Sequence, residues 1–176
     1  ALANKCEEDT EILVDVEAEN YRQIITQEFD EEIKQYLADI KKQDFFFYDV
    51  GFQQAMESLD AATAKADEFD GKDVNSPKSF KWYSHVAKCF GYESLMRNSK
   101  RDIALIREEI TKMRSFWHFE DNRILITEQH MNTQWSKVDP TNVEDSIKEL
   151  QKRLREHAKV VDKKCDAFLG VTEVLK

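Results

Sequence analysis

The sequence predicts an all-α fold: an elongated bundle of long amphipathic helices with no β-sheet. The chain has only four glycines and two prolines in 176 residues, whereas folds with many tight turns need both. Apolar residues recur at three- and four-residue steps along most of the chain, which is the spacing of one helix face. Hydrophobic residues make up 41% of the chain, enough for a core although 35% are charged.

Residues 1–70 are predicted to form helices with an acidic start. Residues 1–44 contain 13 acids and 5 bases, and their apolar spacing predicts one long helix, or two that meet near Glu19 and Asn20. An aromatic run at 45–48 precedes Gly51, where we expect a break. A further amphipathic helix is predicted over 52–69.

Residues 71–80 are the predicted loop and the best candidate for an internal boundary, because turn formers collect there. Ser76 and Pro77 are expected to cap the next short helix. Two more helices are predicted, one from Glu93 to about Phe119 and another that ends before Pro140.

The last predicted element is a long helix over 142–174, within a second helical region at 81–176. The segment 141–144 reads as a capping box before it. Apolar residues then stand seven apart, which is the seam of a helix packed along its length. The residues predicted to pack are Trp117, Trp135, Ile147, Leu150, Leu154, Val161, Phe168 and Leu175.

No pattern in the chain predicts catalysis, a cofactor or a metal site. Gly-rich phosphate loops cannot be written with glycines this far apart. No acidic residue precedes any histidine by three positions, as a di-iron bundle requires, so His157 on the apolar seam is interpreted as a packed histidine. The aromatic residues could form a ligand-binding box, but burial in the core is favoured because large rings gain most from it. These are Trp82, Phe116, Trp117, Phe119 and Trp135.

Composition also restricts the cellular compartment and the classes of partner that we expect. Cys6, Cys89 and Cys165 are odd in number and far apart, which predicts buried free thiols in a reducing compartment. No apolar run is long enough to span a membrane, and the net charge of −9 argues against a nucleic-acid surface. The first residue is Ala1, which indicates a fragment or a processed chain.

An ordered series of short motifs runs through residues 95–176. Its members are KMRSFW at 112–117, WSKVD at 135–139, VED at 143–145, LQKRLR at 150–155, Lys159, DK at 162–163, DAFLG at 166–170 and VLK at 174–176. The series resembles dynein heavy chains, more the axonemal than the cytoplasmic form, where the N-terminal tail joins the linker. WSKVD is similar to the W-x-x-I-D step of that family. The chain departs from the family pattern at Cys165, often Trp in dyneins, and at Pro140, after the Asp of that step.

The resemblance implies a non-catalytic mechanical segment of a microtubule motor. It would transmit force between the AAA+ ATPase motor, which hydrolyses ATP, and the cargo- or axoneme-anchored tail. Residues 1–70 would then be tail or neck helices, and 81–176 the tail-to-linker region.

The partners implied are the remainder of the heavy chain, dynein intermediate and light chains, and neighbouring heavy chains, with no nucleic acid and no membrane. The implied location is the cytoplasm and cytoskeleton, in the axoneme of a cilium or flagellum. A free-standing spectrin-like or coiled-coil adaptor is the main alternative, and a secreted helical ligand carrier is a third reading.

Overall fold

A computed structural model describes the backbone of residues 2–175 and the side chains of residues 10–175. Every regular element in that range is helical and none is a strand, which confirms the predicted all-α class. Short 3₁₀ turns, one π-helical turn and the irregular segments 71–79 and 158–165 join the α-helices. These are α1 (Leu2–Gln23), α2 (Asp30–Asp39), α3 (Gly51–Asp70), α4 (Phe80–Cys89), α5 (Met96–Met131), α6 (Pro140–His157) and α7 (Asp166–Val174).

The chain divides into two compact units. Unit 1 comprises residues 1–40 and 64–107, and unit 2 comprises residues 41–63 and 108–176. The predicted boundary loop therefore lies inside unit 1, and the division falls within α3 and α5. Local turn composition marks where the chain bends, whereas packing decides which segments share a core.

In unit 1, the first helical stretch has no break at Glu19 or Asn20. The chain passes from α1 through the π-helical turn Ile24–Phe29 into α2, with helical angles at both joints. Ile25, Phe29 and Ile33 are buried on one side of it. The Phe29 ring lies 4.7 Å from the ring of Tyr83 in α4, and the Tyr36 ring lies 5.5 Å from that of Phe69 in α3.

The prediction that Ser76 and Pro77 cap α4 is wrong. Ser79 is the N-cap, since its hydroxyl accepts a hydrogen bond from the backbone N–H of Trp82. The Ser76 hydroxyl instead accepts from the backbone N–H of Lys72 at 3.1 Å and closes the preceding turn. Gly71 adopts a φ of +78° there, and an added Cβ would overlap the Ser79 side chain, so this turn requires glycine.

Helix α5 is longer than predicted. It runs without interruption from Met96 to Met131, 36 residues, where the sequence predicted one helix ending near Phe119 and a second beyond it. No glycine or proline lies between these ends, so the backbone has no local reason to break.

The predicted continuous helix over 142–174 is wrong. Helix α6 ends at His157, residues 158–165 form turns, and α7 begins at Asp166. The Asp162 carboxylate accepts from the backbone N–H of Lys164 at 3.0 Å and from Lys41 Nζ at 2.8 Å, which holds the turn closed. The Lys41 hydrogen bond is the main reason that the pKa of Asp162 lies below its usual range.

The ends of the two last helices are fixed by side chains that the heptad pattern does not include. Helix α6 begins at Pro140, with Asp139 as its N-cap, so the predicted capping box at 141–144 does not start it. The Asp166 carboxylate accepts from the backbone N–H of Tyr48 at 2.8 Å. The Tyr48 ring packs so closely on Gly170 that a Cβ there would overlap it.

Six of the eight residues predicted to pack are buried or partly buried. Trp117, Leu150, Leu154, Val161 and Phe168 are buried in unit 2, and Leu175 is partly buried. Trp135 and Ile147 are exceptions, since they are 93% and 44% exposed. Trp135 lies in a short 3₁₀ turn beyond the end of α5, where none of the described elements covers it.

The structure agrees only in part with the prediction that the cysteines are buried free thiols. Cys165 is buried and free, and burial raises the pKa of its thiol. Cys89 is free but exposed, because it lies at the end of α4 rather than on its buried side. The side chain of Cys6 lies outside the residues whose side chains are described.

Candidate functional site

The core of unit 2 contains an aromatic cluster centred on Trp117. Phe116, Trp117 and Phe119 of α5 are each at most 1% exposed. The Trp117 indole N–H donates to the backbone carbonyl of Phe45 at 2.8 Å, which satisfies its polar atom inside the core. These three rings are core residues and form no open ligand box. Trp135 lies on the surface instead, and Trp82 belongs to unit 1.

His157 packs against this cluster at the end of α6. Its ring lies 5.1 Å from the ring of Phe119 and 5.9 Å from that of Phe116. Burial, followed by the charge of Arg153, lowers the pKa of His157 below its usual value, although Glu156 acts in the opposite direction. Burial among the apolar rings thus disfavours the protonated form of the histidine.

This arrangement makes unit 2 sensitive to acid. A histidine whose pKa is lower in the folded state contributes stability that is complete above its unfolded pKa of about 6.5 and is lost as the pH falls through the folded pKa. We expect His157→Gln to flatten the dependence of the free energy of unfolding on pH between about pH 7.5 and pH 5. Urea unfolding at several pH values measures this. His85→Gln, at an exposed position in α4, is the control, and an unchanged profile for His157→Gln would contradict the assignment.

A buried ion pair between Glu120 and Arg123 lies on α5, directly after the aromatic cluster. Arg123 Nε and Nη2 donate to Glu120 at 2.6 and 2.8 Å, and both side chains are nearly inaccessible to solvent. The Tyr48 hydroxyl donates to the same carboxylate at 3.4 Å. Burial, followed by the charge of Glu120, raises the pKa of Tyr48, and the hydrogen bond to Glu120 raises the pKa of Arg123.

The cluster joins α5 to the segment 48–50 inside unit 2. Both oxygens of the Glu120 carboxylate accept hydrogen bonds from Arg123, and one of them also accepts from the Tyr48 hydroxyl. Sequence reasoning did not single out these residues. The only signal was a Glu and an Arg three positions apart, a spacing that is equally common on solvated helix faces.

An apolar groove of about 700 Å³ lies in unit 2 between the end of α5 and the start of α6. Trp135 and Ile147, both predicted to pack, are brought together in its lining with Met131, Val138 and Val143. His130 and Glu144 are the ionisable residues that line it. An open apolar surface with an exposed tryptophan is typical of a protein contact site rather than of an enclosed catalytic pocket.

Among side chains 10–175, no group of three or more His, Cys, Asp or Glu residues could hold a metal ion. None of the described helices has the length and apolar character needed to cross a membrane.

The chain is similar to a dynein. It is 27% identical over 152 residues to the dynein alpha chain of the flagellar outer arm of Chlamydomonas reinhardtii. The match covers 84% of this chain and 3% of that protein, so the chain spans a small part of its relative's length. It is longer than the segment 95–176, and the similarity therefore extends into the first half. No family model matches the chain, and no solved structure matches it significantly.

Proposed function

We propose that this chain is a non-catalytic, force-transmitting segment of a dynein heavy chain, from the region where the N-terminal tail joins the linker. The observation that carries the proposal is the similarity to a flagellar dynein across 84% of the chain. The order of the motifs in residues 95–176 supports the placement next to the linker.

The contacts within each unit suit a segment under load. In unit 1, Arg107 ties α5 to α3 through Asp67 at 2.8 Å and Asp70 at 3.4 Å. In unit 2, Arg114 of α5 bonds Asp60 of α3 at 2.8 Å. Each tie opposes the separation of α3 from α5 by up to about 1 kcal/mol, since its side chains are partly exposed.

The described side chains also support a non-catalytic role. Burial raises the pKa of the Cys165 thiol, which disfavours the nucleophilic thiolate. Both oxygens of the Glu120 carboxylate are paired with Arg123. The ATPase chemistry of the motor would then reside elsewhere in the heavy chain.

The relative belongs to a flagellar outer arm, which supports a location in the cytoskeleton of a cilium or flagellum. The partners we propose are the rest of the heavy chain, the intermediate and light chains, and neighbouring heavy chains. The exposed groove around Trp135 is an available contact surface for one of them.

Sequencing the parent transcript tests the proposal directly. We expect one open reading frame to continue past codon 176 for thousands of residues and to encode Walker motifs. A stop codon close to codon 176 would instead favour a free-standing helical adaptor. The purified chain should neither hydrolyse ATP nor sediment with microtubules, and turnover above that of a heat-denatured control would contradict its non-catalytic role.

A further inference from the structure

Residues 10–17 of α1 present an apolar surface that no described side chain covers. Every residue from 10 to 17 is exposed, and Ile12, Leu13 and Val16 are 61%, 66% and 52% exposed. Further along α1 within unit 1, Ala18 is buried, and the Tyr21 ring lies 5.8 Å from that of Trp82 in α4. Three neighbouring exposed aliphatic side chains on one helix are a mark of an interaction surface.

This surface continues into the π-helical turn. Ile12, Val16, Asn20, Ile24 and Glu28 follow one another at four-residue steps, so each lies next to the preceding one along an inclined row on the helical path. A groove of about 380 Å³ lies at Asn20, Ile24 and Glu28, with Glu17 also in its lining. We call the exposed surface formed by this row, by Leu13 and by the carboxylates of residues 10–28 the α1 face. A π-helical turn is an uncommon feature that often occurs at functional sites.

The α1 face carries a strongly negative net charge. Residues 10–28 contain five carboxylates and one base, Arg22. Arg22 is already engaged, because it pairs with Glu19 at 3.4 Å and lies over the ring of Tyr92. Among the residues whose side chains are described, no cation pairs with Glu11, Asp15 or Glu17.

The carboxylates flank the apolar residues on both sides. Glu11, Asp15 and Glu19 stand at four-residue steps and form a row along one flank, while Glu17 lies beyond Leu13 on the other. An apolar strip between two acidic flanks is complementary to a helix with an apolar strip between basic residues. A second copy of this chain would instead bring like charges together, as would an anionic membrane.

We infer that the α1 face binds a basic amphipathic helix of a partner protein. The apolar residues of that helix cover Ile12, Leu13 and Val16, and its lysines or arginines pair with the flanking carboxylates. The glutamates of the groove at the π-helical turn, Glu17 and Glu28, accept one further basic side chain. This inference does not depend on the proposed motor role, because it rests on unit 1 alone.

The test uses the full 176-residue chain and a labelled synthetic helix with leucine at its apolar positions and lysine elsewhere. We expect fluorescence anisotropy to report binding that weakens between about 50 and 200 mM salt. A peptide with glutamate in place of every lysine should not bind. Equal binding of the acidic peptide would overturn the proposal.

Two variants examine the apolar strip. Leu13→Asn combined with Val16→Asn should weaken binding by at least about tenfold, because it removes the surface that the helix covers. Leu169→Asn combined with Val174→Asn is the matched control, since both residues are exposed aliphatics in α7 of unit 2. It should change affinity less than about twofold. Equal affinities for the two double variants would overturn the proposal.

A second pair examines the charges. Glu11→Gln combined with Asp15→Asn should weaken binding and reduce its salt dependence, whereas Asp145→Asn combined with Glu149→Gln on exposed α6 should do neither. Circular dichroism verifies that all variants stay folded. Self-association of the free chain, or binding to vesicles of anionic lipid, that Leu13→Asn combined with Val16→Asn abolishes would show that the α1 face has a different occupant and would overturn the proposal.

Discussion

Trp117→Ala is expected to lower the free energy of unfolding by about 3–5 kcal/mol, the range for removing a large aromatic side chain from a core. Trp117 is 1% exposed, and its indole donates to the Phe45 carbonyl. Alanine therefore leaves both a cavity and an unpaired buried acceptor. Urea unfolding, monitored by circular dichroism, measures the difference.

Trp135→Ala is the control for that measurement, since it deletes the same side chain from a position that is 93% exposed. Its free energy of unfolding should stay within about 0.5 kcal/mol of the wild type. Equal losses for the two variants would mean that Trp135 is buried in the folded protein or that Trp117 is not.

Glu120→Gln is expected to cost about 3–5 kcal/mol in the free energy of unfolding, because it leaves the Arg123 guanidinium buried without its counter-charge. Glu144→Gln is a matched control. The Lys148–Glu144 pair has the same 2.6 Å separation, but both of its side chains are exposed. The control should therefore change the free energy of unfolding by at most about 1 kcal/mol.

A double variant separates the cost of an unpaired charge from the worth of the pair. Replacing both Glu120 and Arg123 with methionine removes the two charges while keeping apolar volume in the core. We expect it to be more stable than Glu120→Gln, since no buried charge is left alone. If the double variant were the less stable of the two, the pair itself would be the source of stability.

Sequence periodicity predicted the buried side of each helix more reliably than it predicted where the helix ends. Val161 and Phe168 are buried, as their heptad positions predicted. The backbone between them is nevertheless not continuous helix, because turns at 158–165 separate α6 from α7. Apolar spacing specifies which residues turn inward, and it persists across a turn whose two helices share one core.

The contacts that define these turns join residues more than a hundred positions apart. Lys41 bonds Asp162, and the Tyr48 backbone bonds Asp166. Neither pair produces a pattern in the sequence around its residues. The prediction that Trp135 packs was wrong for a related reason, since a large ring is buried only where another element reaches it.

The sequence by itself determined the helical class and most of the core. The scarcity of glycine and proline excluded turn-rich folds, and helical spacing identified Trp117, Leu150 and Leu154 as buried. The tertiary structure alone decided where the last helices end, that Glu120 and Arg123 form a buried pair, and that the α1 face stays uncovered. Local spacing encodes the side of a helix on which a residue lies, whereas only long-range packing decides what that side meets.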